Sequence, residues 1–404
     1  MNNIHHTRLA NGVQFISRTI AGARSAALGV WIVNGGRHQR VDQCGYAHLL
    51  EHLLFKGTRR HSALALAQCF ESLGGQVNAH TGRELTALYG VVPGTAVEQL
   101  LELFSAMLIE PAFTAEDIAL EREVVFQEMA MIEDTPEEAL ADAGVQCAWP
   151  DHAAGWPILG TESVLQNSTA QALHAYLHDL LCGARLFVVA VGAVEHEILV
   201  QAGASLGGLP AGVAPVSSAP QFVAGNVVSR RHLSQANLLW VLPAPALGAA
   251  THTTALLANH LLGGGTSSRL FQDIREQRGL VYGISSRLEQ YSDCGLWLIQ
   301  TACDDQRAAQ CRAAVEQVLT TLIETGPDVT ELEQSRRHMH AALLIDEDNA
   351  EATMERLARE VIYLQRHPTL EERTQQLATT TVADVQRLLA QSWRDRHYLE
   401  WLPG

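Results

Sequence analysis

Two histidines and a glutamate are spaced for metal chemistry: His48-Leu49-Leu50-Glu51-His52 reads H-x-x-E-H. On a helix, residues i and i+4 lie one above the other, so His48 and His52 present their imidazoles to a single point. Glu51, three residues after His48, stands beside them. Two imidazole ligands and a carboxylate able to act as a base form the inverted zinc-hydrolase motif. Leu49, Leu50, Leu53, Leu54 and Phe55 cover the rest of this helix, which predicts that it is buried. Burying two imidazoles and a carboxylate without partners is costly, and a metal ion supplies the partner. The competing structural reading is a pair of hydrogen-bonded core histidines beside a helical glutamate. A catalytic zinc takes three protein ligands and leaves a position for water, so a third ligand must come from elsewhere in the chain.

The elements that position these groups follow from periodicity. A helix is predicted from about Tyr46 to Phe55, after a strand over Ser25–Asn34. A second helix is predicted over Ala115–Met131, with Thr114 as its cap, Glu116 and Asp117 in its first turn, and apolar Ile118, Leu120, Val124, Val125 and Met129. Glu121 and Glu128 are seven apart on it and share a face. Taken alone they read as a solvated acidic face, and spacing does not nominate Glu128 as a ligand.

The chain repeats its plan. A Pro- and Gly-rich stretch over 207–221 is the linker candidate, dividing residues 1–206 from 222–404. In the second half a strand over Gln235–Pro243 precedes a helix from about Thr253 to Leu262. A shift of 208 positions sets His52-Leu53-Leu54 on His260-Leu261-Leu262 and Gly57-Thr58 on Gly265-Thr266. Further strands are predicted at Leu85–Val92, Leu186–Gly192 and Leu296–Thr301. The fold class is therefore α+β: two duplicated domains, each a mostly antiparallel sheet with helices packed on one face. Under the same shift His48, Glu51 and His52 fall on Leu256, Asn259 and His260, so the second half lacks a ligand and the base. Gly263-Gly264-Gly265 follows a helix instead of opening one, which makes it a helix-ending turn and not a phosphate loop.

Composition excludes several classes. The chain has 404 residues, with 28 Lys plus Arg against 44 Asp plus Glu and a formal charge of -16, which argues against nucleic acid as a partner. Lys56 is the single lysine. No apolar run is long enough for a membrane span, and Met-Asn-Asn-Ile-His-His lacks the apolar core of a secretory signal. Seven scattered cysteines without a C-x-x-C pair fit a reduced, cytoplasmic protein.

With these motifs in place, the chain resembles the pitrilysin/insulinase-type zinc peptidases, in particular the short-chain branch related to mitochondrial processing peptidase. Gly45–Thr58 looks like that family's zinc helix with its flanks. Gly74–Thr81 is similar to its substrate-holding strand, and Glu121–Glu128 to its third-ligand segment. Pro136-Glu137-Glu138, Gly160-Thr161-Glu162 and Ser268-Arg269-Leu270 followed by Ile274–Tyr282 match further landmarks.

The resemblance implies one zinc per chain on His48, His52 and Glu128, Glu51 as general base, and Glu121 as an acid that steadies the site from behind. It implies an Arg–Tyr pair for substrate and transition state, placed at Arg275 and Tyr282, with Arg278 the weaker candidate arginine. Asn78, Ala79 and Thr81 would hold an extended peptide by strand addition. The implied activity is zinc-dependent endopeptidase action on short or unfolded peptides inside a closed chamber. Larger members of the family hold four such domains in one chain. Two domains therefore imply a homodimer, or a heterodimer with a related chain, with Arg275 and Tyr282 of one subunit completing the other's site. The acidic charge favours neutral or basic partners, and an acidic interior would favour Arg- or Lys-containing peptides. A non-catalytic assembly subunit and a maturation protease for one precursor are the alternatives.

Overall fold

The computed structural model describes residues 4–404; the reading of the N-terminus rests partly on Met1–Asn3, which lie outside the described residues. Two sheets organise the chain. The first contains β1 (Ile4–Arg8), β2 (Gln14–Thr19), β3 (Ser25–Ile32), β4 (Gln76–Thr81), β5 (Thr86–Pro93) and β6 (Leu186–Gly192), in the order β1-β2-β6-β3-β5-β4. The second contains β7 (Gly225–Arg231), β8 (Ala236–Ala244), β9 (Val281–Gln290), β10 (Gly295–Cys303) and β11 (His397–Pro403), in the order β7-β11-β8-β10-β9.

The duplication is visible in the pairing itself. In the first sheet β2 runs parallel to β6, while β6–β3, β3–β5 and β5–β4 are antiparallel. In the second, β7 runs parallel to β11, while β11–β8, β8–β10 and β10–β9 are antiparallel. Five strands thus recur with the same order, direction and sequence placement, and β1 is an addition outside β2. The predicted strands and helices are all present within two or three residues of their expected ends. The 207–221 segment carries no strand, and beyond Gly208 no helix.

The strands show why one layer of helices is not enough. Seven of the eight residues of β3, from Ala26 onward, and every residue of β6 are buried, so the first sheet is covered on both faces. One face carries the helices Tyr46–Leu54, Ala63–Ser72 and Val97–Ile109, packed through Leu28, Val30, Leu49, Leu53, Leu100 and Phe104. The opposite face, with Ala27, Trp31, Phe187 and Val189, is covered by the helix Ala350–Leu364 through Met354, Leu357 and Val361. The second sheet has the same need. Its outer face, including Leu239, Val241 and Leu298, is covered by the helix Pro136–Ala148 through Leu140 and Val145.

The compact units cut across the two halves of the chain that flank 207–221. One unit comprises 1–129, 156–217 and 345–367; the other comprises 130–155, 218–344 and 368–404. Each half lends one helix to the sheet of the other, because a sheet buried on both faces needs a second cover that its own half does not supply. Among the described residues no helix is long and apolar enough to cross a membrane.

Candidate metal centre

The helix Tyr46–Leu54 turns its Tyr46, Ala47, Leu49, Leu50, Leu53 and Leu54 side chains into the core, leaving His48, Glu51 and His52 on the remaining face. Full burial of Leu49 and Leu53 contributes about 1.5–3 kcal/mol each, which fixes the rotation of the helix and so the aim of the two imidazoles. Its start is set by two glycines in contact. Gly45 has φ 94°, and a Cβ there would meet Leu159 O at 2.7 Å and the Gly160 Cα at 2.8 Å. Gly160, itself at φ 85°, is the glycine of the Gly160-Thr161-Glu162 landmark. The loop from Pro157 is thereby clamped on the entry to the helix, whose first N–H, from Tyr46, donates to Gln39 Oε1 at 3.0 Å.

The third group arrives on the helix Ala115–Glu133. Thr114 begins it as expected: the Asp117 N–H donates to Thr114 Oγ1 at 3.1 Å, and the Thr114 N–H donates to Asp117 Oδ2 at 2.7 Å. Glu128 Oε2 lies 3.7 Å from His48 Nε2 and 3.6 Å from His52 Nε2. The rings of His48 and His52 meet edge to face, with centroids 4.8 Å apart. Two ligands on a tetrahedral zinc, each at about 2.0–2.1 Å, stand about 3.4 Å apart, so the three donors are spaced to share one ion. All three ligand atoms lie within 4.8 Å of one another, and no other such group of His, Cys, Asp or Glu occurs among the described residues. The donor set suits zinc(II), with two imidazoles and one carboxylate.

Glu121 corrects the solvated-face reading of this helix. It is buried, and its Oε2 accepts from His52 Nδ1 at 2.9 Å. That bond leaves the lone pair of His52 on Nε2, the atom aimed at Glu128. Glu128 keeps 39% of its side chain exposed. His48 Nδ1, by contrast, is buried without a hydrogen-bond partner. Burial, and then the neighbouring His52, press the His48 imidazole down to about 4, so it is neutral and ready to ligate.

Glu51 has the features of a base. Its Oε2 is buried and unpartnered, and burial raises its carboxyl above the ordinary carboxylate range. The Thr81 hydroxyl hydrogen-bonds the same carboxyl and opposes part of that rise. Thr81, expected among substrate contacts, is thus also a neighbour of Glu51, a link that spacing did not reveal. It ends β4, which has β5 on one side and, among the described residues, no strand on the other. Asn78 and Ala79 lie on this edge, where Asn78 Oδ1 accepts from the Ala79 N–H at 2.9 Å.

Arg275 and Tyr282 come together in the other unit. Arg275 Nε donates to the Tyr282 carbonyl at 3.0 Å, and the guanidinium sits 4.9 Å above the Phe271 ring. The Tyr282 side chain is left 92% exposed. Arg278 is held by Asp273 and Gln317 instead.

The second half shows what the duplicated site became. His260 Nδ1 is 2.9 Å from Ser335 Oγ, a counterpart of the His52–Glu121 bond, and its ring stacks on His338 at 4.3 Å. Seven residues after Ser335 stands Ala342, where Glu128 stands seven after Glu121. Asn259, at the position of the base, accepts from Trp297 Nε1 at 2.7 Å and Ser286 Oγ at 2.6 Å. The histidine and its orienting hydrogen bond remain at His260, while Leu256, Ala342 and Asn259 stand where His48, Glu128 and Glu51 stand in the first half.

The comparisons with known proteins agree with this asymmetry. Residues 14–162 match the Insulinase family (Peptidase family M16), and residues 167–339 match the Peptidase M16 inactive domain. A Bacillus subtilis protein named as an uncharacterized zinc protease is 30% identical over 390 residues, covering 96% of this chain and 95% of its own. A Mycobacterium tuberculosis protein of the same description is 32% identical over 389 residues, covering 94% and 88%. In fold, the chain matches a Helicobacter pylori protease at a TM-score of 0.93 and 19% identity, each chain covered in full. It also matches a Pseudomonas fluorescens structure named as a peptidase M16 inactive domain, at 0.92 and 20%, covering 100% of this chain and 98% of the other. With its helix-borne His48, His52 and Glu128 in the first part and the emptied counterpart in the second, the chain belongs to the insulinase family of peptidases, family M16.

Proposed function

We propose that this protein is a zinc-dependent endopeptidase that cleaves short or unfolded peptides held in extended form. The observation that carries the proposal is the convergence of His48 Nε2, His52 Nε2 and Glu128 Oε2 beside a buried, underbonded Glu51 carboxyl. His48, His52 and Glu128 would hold one zinc(II) per chain. When bound, the ion supplies Lewis acidity toward the scissile carbonyl and the attacking water. Glu51 takes the proton of that water and returns it to the leaving amine; its raised proton affinity suits both transfers. The edge of β4 pairs with the peptide backbone, with the Ala79 amide exchanging its Asn78 partner for the substrate, so recognition depends little on side chains.

Arg275 and Tyr282 assist substrate binding and the transition state, supported by the free Tyr282 phenol and its Arg275 anchor. The working form is a dimer enclosing a chamber in the cytoplasm, each subunit lending this pair to its partner; acidic residues lining the chamber would favour basic peptides. The test is peptide-library cleavage by wild type, Glu51→Gln and Arg275→Ala, alone and as co-assembled hybrids, with zinc content recorded. Wild type cleaves. Glu51→Gln retains zinc and loses about 10²–10⁴-fold. The verified hybrid recovers part of the activity. Cleavage surviving in zinc-loaded Glu51→Gln refutes the base, and silent hybrids refute the shared site. A zinc-loaded wild type that cleaves nothing favours the assembly-subunit alternative; cleavage confined to one sequence favours a dedicated maturation protease.

A further inference from the structure

Lys56 is the only lysine of the chain, against twenty-seven arginines among the 28 basic residues. That one position lies at the candidate metal centre. Lys56 follows His52 by four residues, and its N–H donates to Leu53 O at 3.1 Å, which prolongs the helical path beyond Leu54. Its side chain therefore runs along the His52 face of the helix. There the ammonium ion-pairs with Glu121 Oε1, while Glu121 Oε2 takes His52 Nδ1 at 2.9 Å. The Glu121 side chain is 9% exposed and that of Lys56 28%. Each oxygen of a buried carboxylate is thus committed to one donor.

Two exposed or half-buried carboxylates are met by a fork instead, although at Glu347 Arg18 and Arg356 each take a single oxygen. Arg269 grips Glu331 with Nε and Nη2 on separate oxygens, and Arg40 grips Asp42 in the same way. A guanidinium fork needs two free oxygens, whereas an ammonium is a point donor that needs one. At Glu121 only one oxygen is free. An arginine forked there as Arg269 is on Glu331 would compete with His52 for Oε2 and turn the carboxylate away from the imidazole. Charge points the same way: among the described residues Lys56 is the only Lys or Arg ion-paired to any of Glu51, Glu121 and Glu128. Three carboxylates set against one divalent ion and one ammonium come to neutrality.

We propose, on the zinc-peptidase reading above, that Lys56 is a positioning residue for the metal site: it pins Glu121 Oε1 so that Oε2 holds the His52 imidazole with Nε2 aimed at zinc, and arginine cannot replace it. Partners of this kind typically govern about 10–100-fold of metal affinity. Zinc(II) affinity is measured by chelator competition on the full-length wild type, Lys56→Arg, Lys56→Gln, Glu121→Gln and the Lys56→Gln/Glu121→Gln double variant. Each single variant should bind zinc about 10–100-fold more weakly, and the double variant no more weakly than Glu121→Gln alone.

In metal-free protein the His52 Nδ1–H proton resonance should be sharp in wild type and broadened in Lys56→Arg, a signature that general loosening with an unchanged denaturation midpoint does not produce. Should the variants fail to fold, O-methylisourea converts Lys56 of folded wild type to a guanidinium, and affinity should fall in the same way. Wild-type affinity in Lys56→Arg or in the guanidinated protein overturns the proposal. So does a double variant in which the two losses multiply. A wild type that binds no zinc overturns the zinc reading itself; zinc-binding wild type with an indifferent Lys56 overturns only this inference.

Discussion

Metal-free protein should lose stability as the pH falls from 7 to 5, with His48 responsible for a defined share. Burial holds its imidazole at about 4, against the ordinary 6.5 of an exposed histidine. Between those values the unfolded chain binds a proton that the folded chain refuses. The stabilising contribution is thus complete above about pH 6.5 and is lost as the pH falls toward 4. At 1.36 kcal/mol per unit the full effect is about 3 kcal/mol, of which about 2 is lost between pH 7 and pH 5. For a unit of about 200 residues that corresponds to a fall in Tm of about 4–8 °C.

The assay is thermal unfolding in chelator at both pH values, comparing wild type with His48→Asn, whose amide does not titrate. Wild type should show the steeper loss by about 2 kcal/mol. Saturating zinc adds its own stabilisation and steepens the acid side, because only the neutral imidazole ligates. Parallel pH curves for wild type and His48→Asn would refute the claim that burial at this site suppresses protonation.

Two further perturbations probe the base and the lent helix. Thr81→Val removes a hydrogen bond that lowers the proton affinity of Glu51, so the acid limb of the kcat/KM profile should move to higher pH; an unmoved limb refutes the link. Met354→Ala empties a fully buried position on the helix Ala350–Leu364 and should cost about 2–5 kcal/mol. Amide exchange should then quicken in β3 and β6 of the first sheet, although the substitution lies in the second half of the chain; acceleration confined to β8 and β10 would refute the assignment of that helix.

The sequence alone determined the two-fold plan, most element positions and the candidate ligating pair. These rest on local periodicity, helix caps and the i, i+4 spacing of His48 and His52, all of which act within a few residues. It also showed that the second half cannot repeat the metal set, since Leu256 and Asn259 replace a ligand and the base. Glu128 was reached only through resemblance, because an acidic residue on a helix looks the same whether it faces solvent or a metal.

Tertiary structure decided the rest. It buried Glu121 against His52 and Lys56, brought Thr81 to Glu51, and fixed Asn259 as a structural amide. Each of these contacts joins residues far apart in sequence or on different elements. The exchange of helices between halves was equally hidden: a sheet buried on both faces needs a second cover, and local periodicity does not say which segment of the chain provides it.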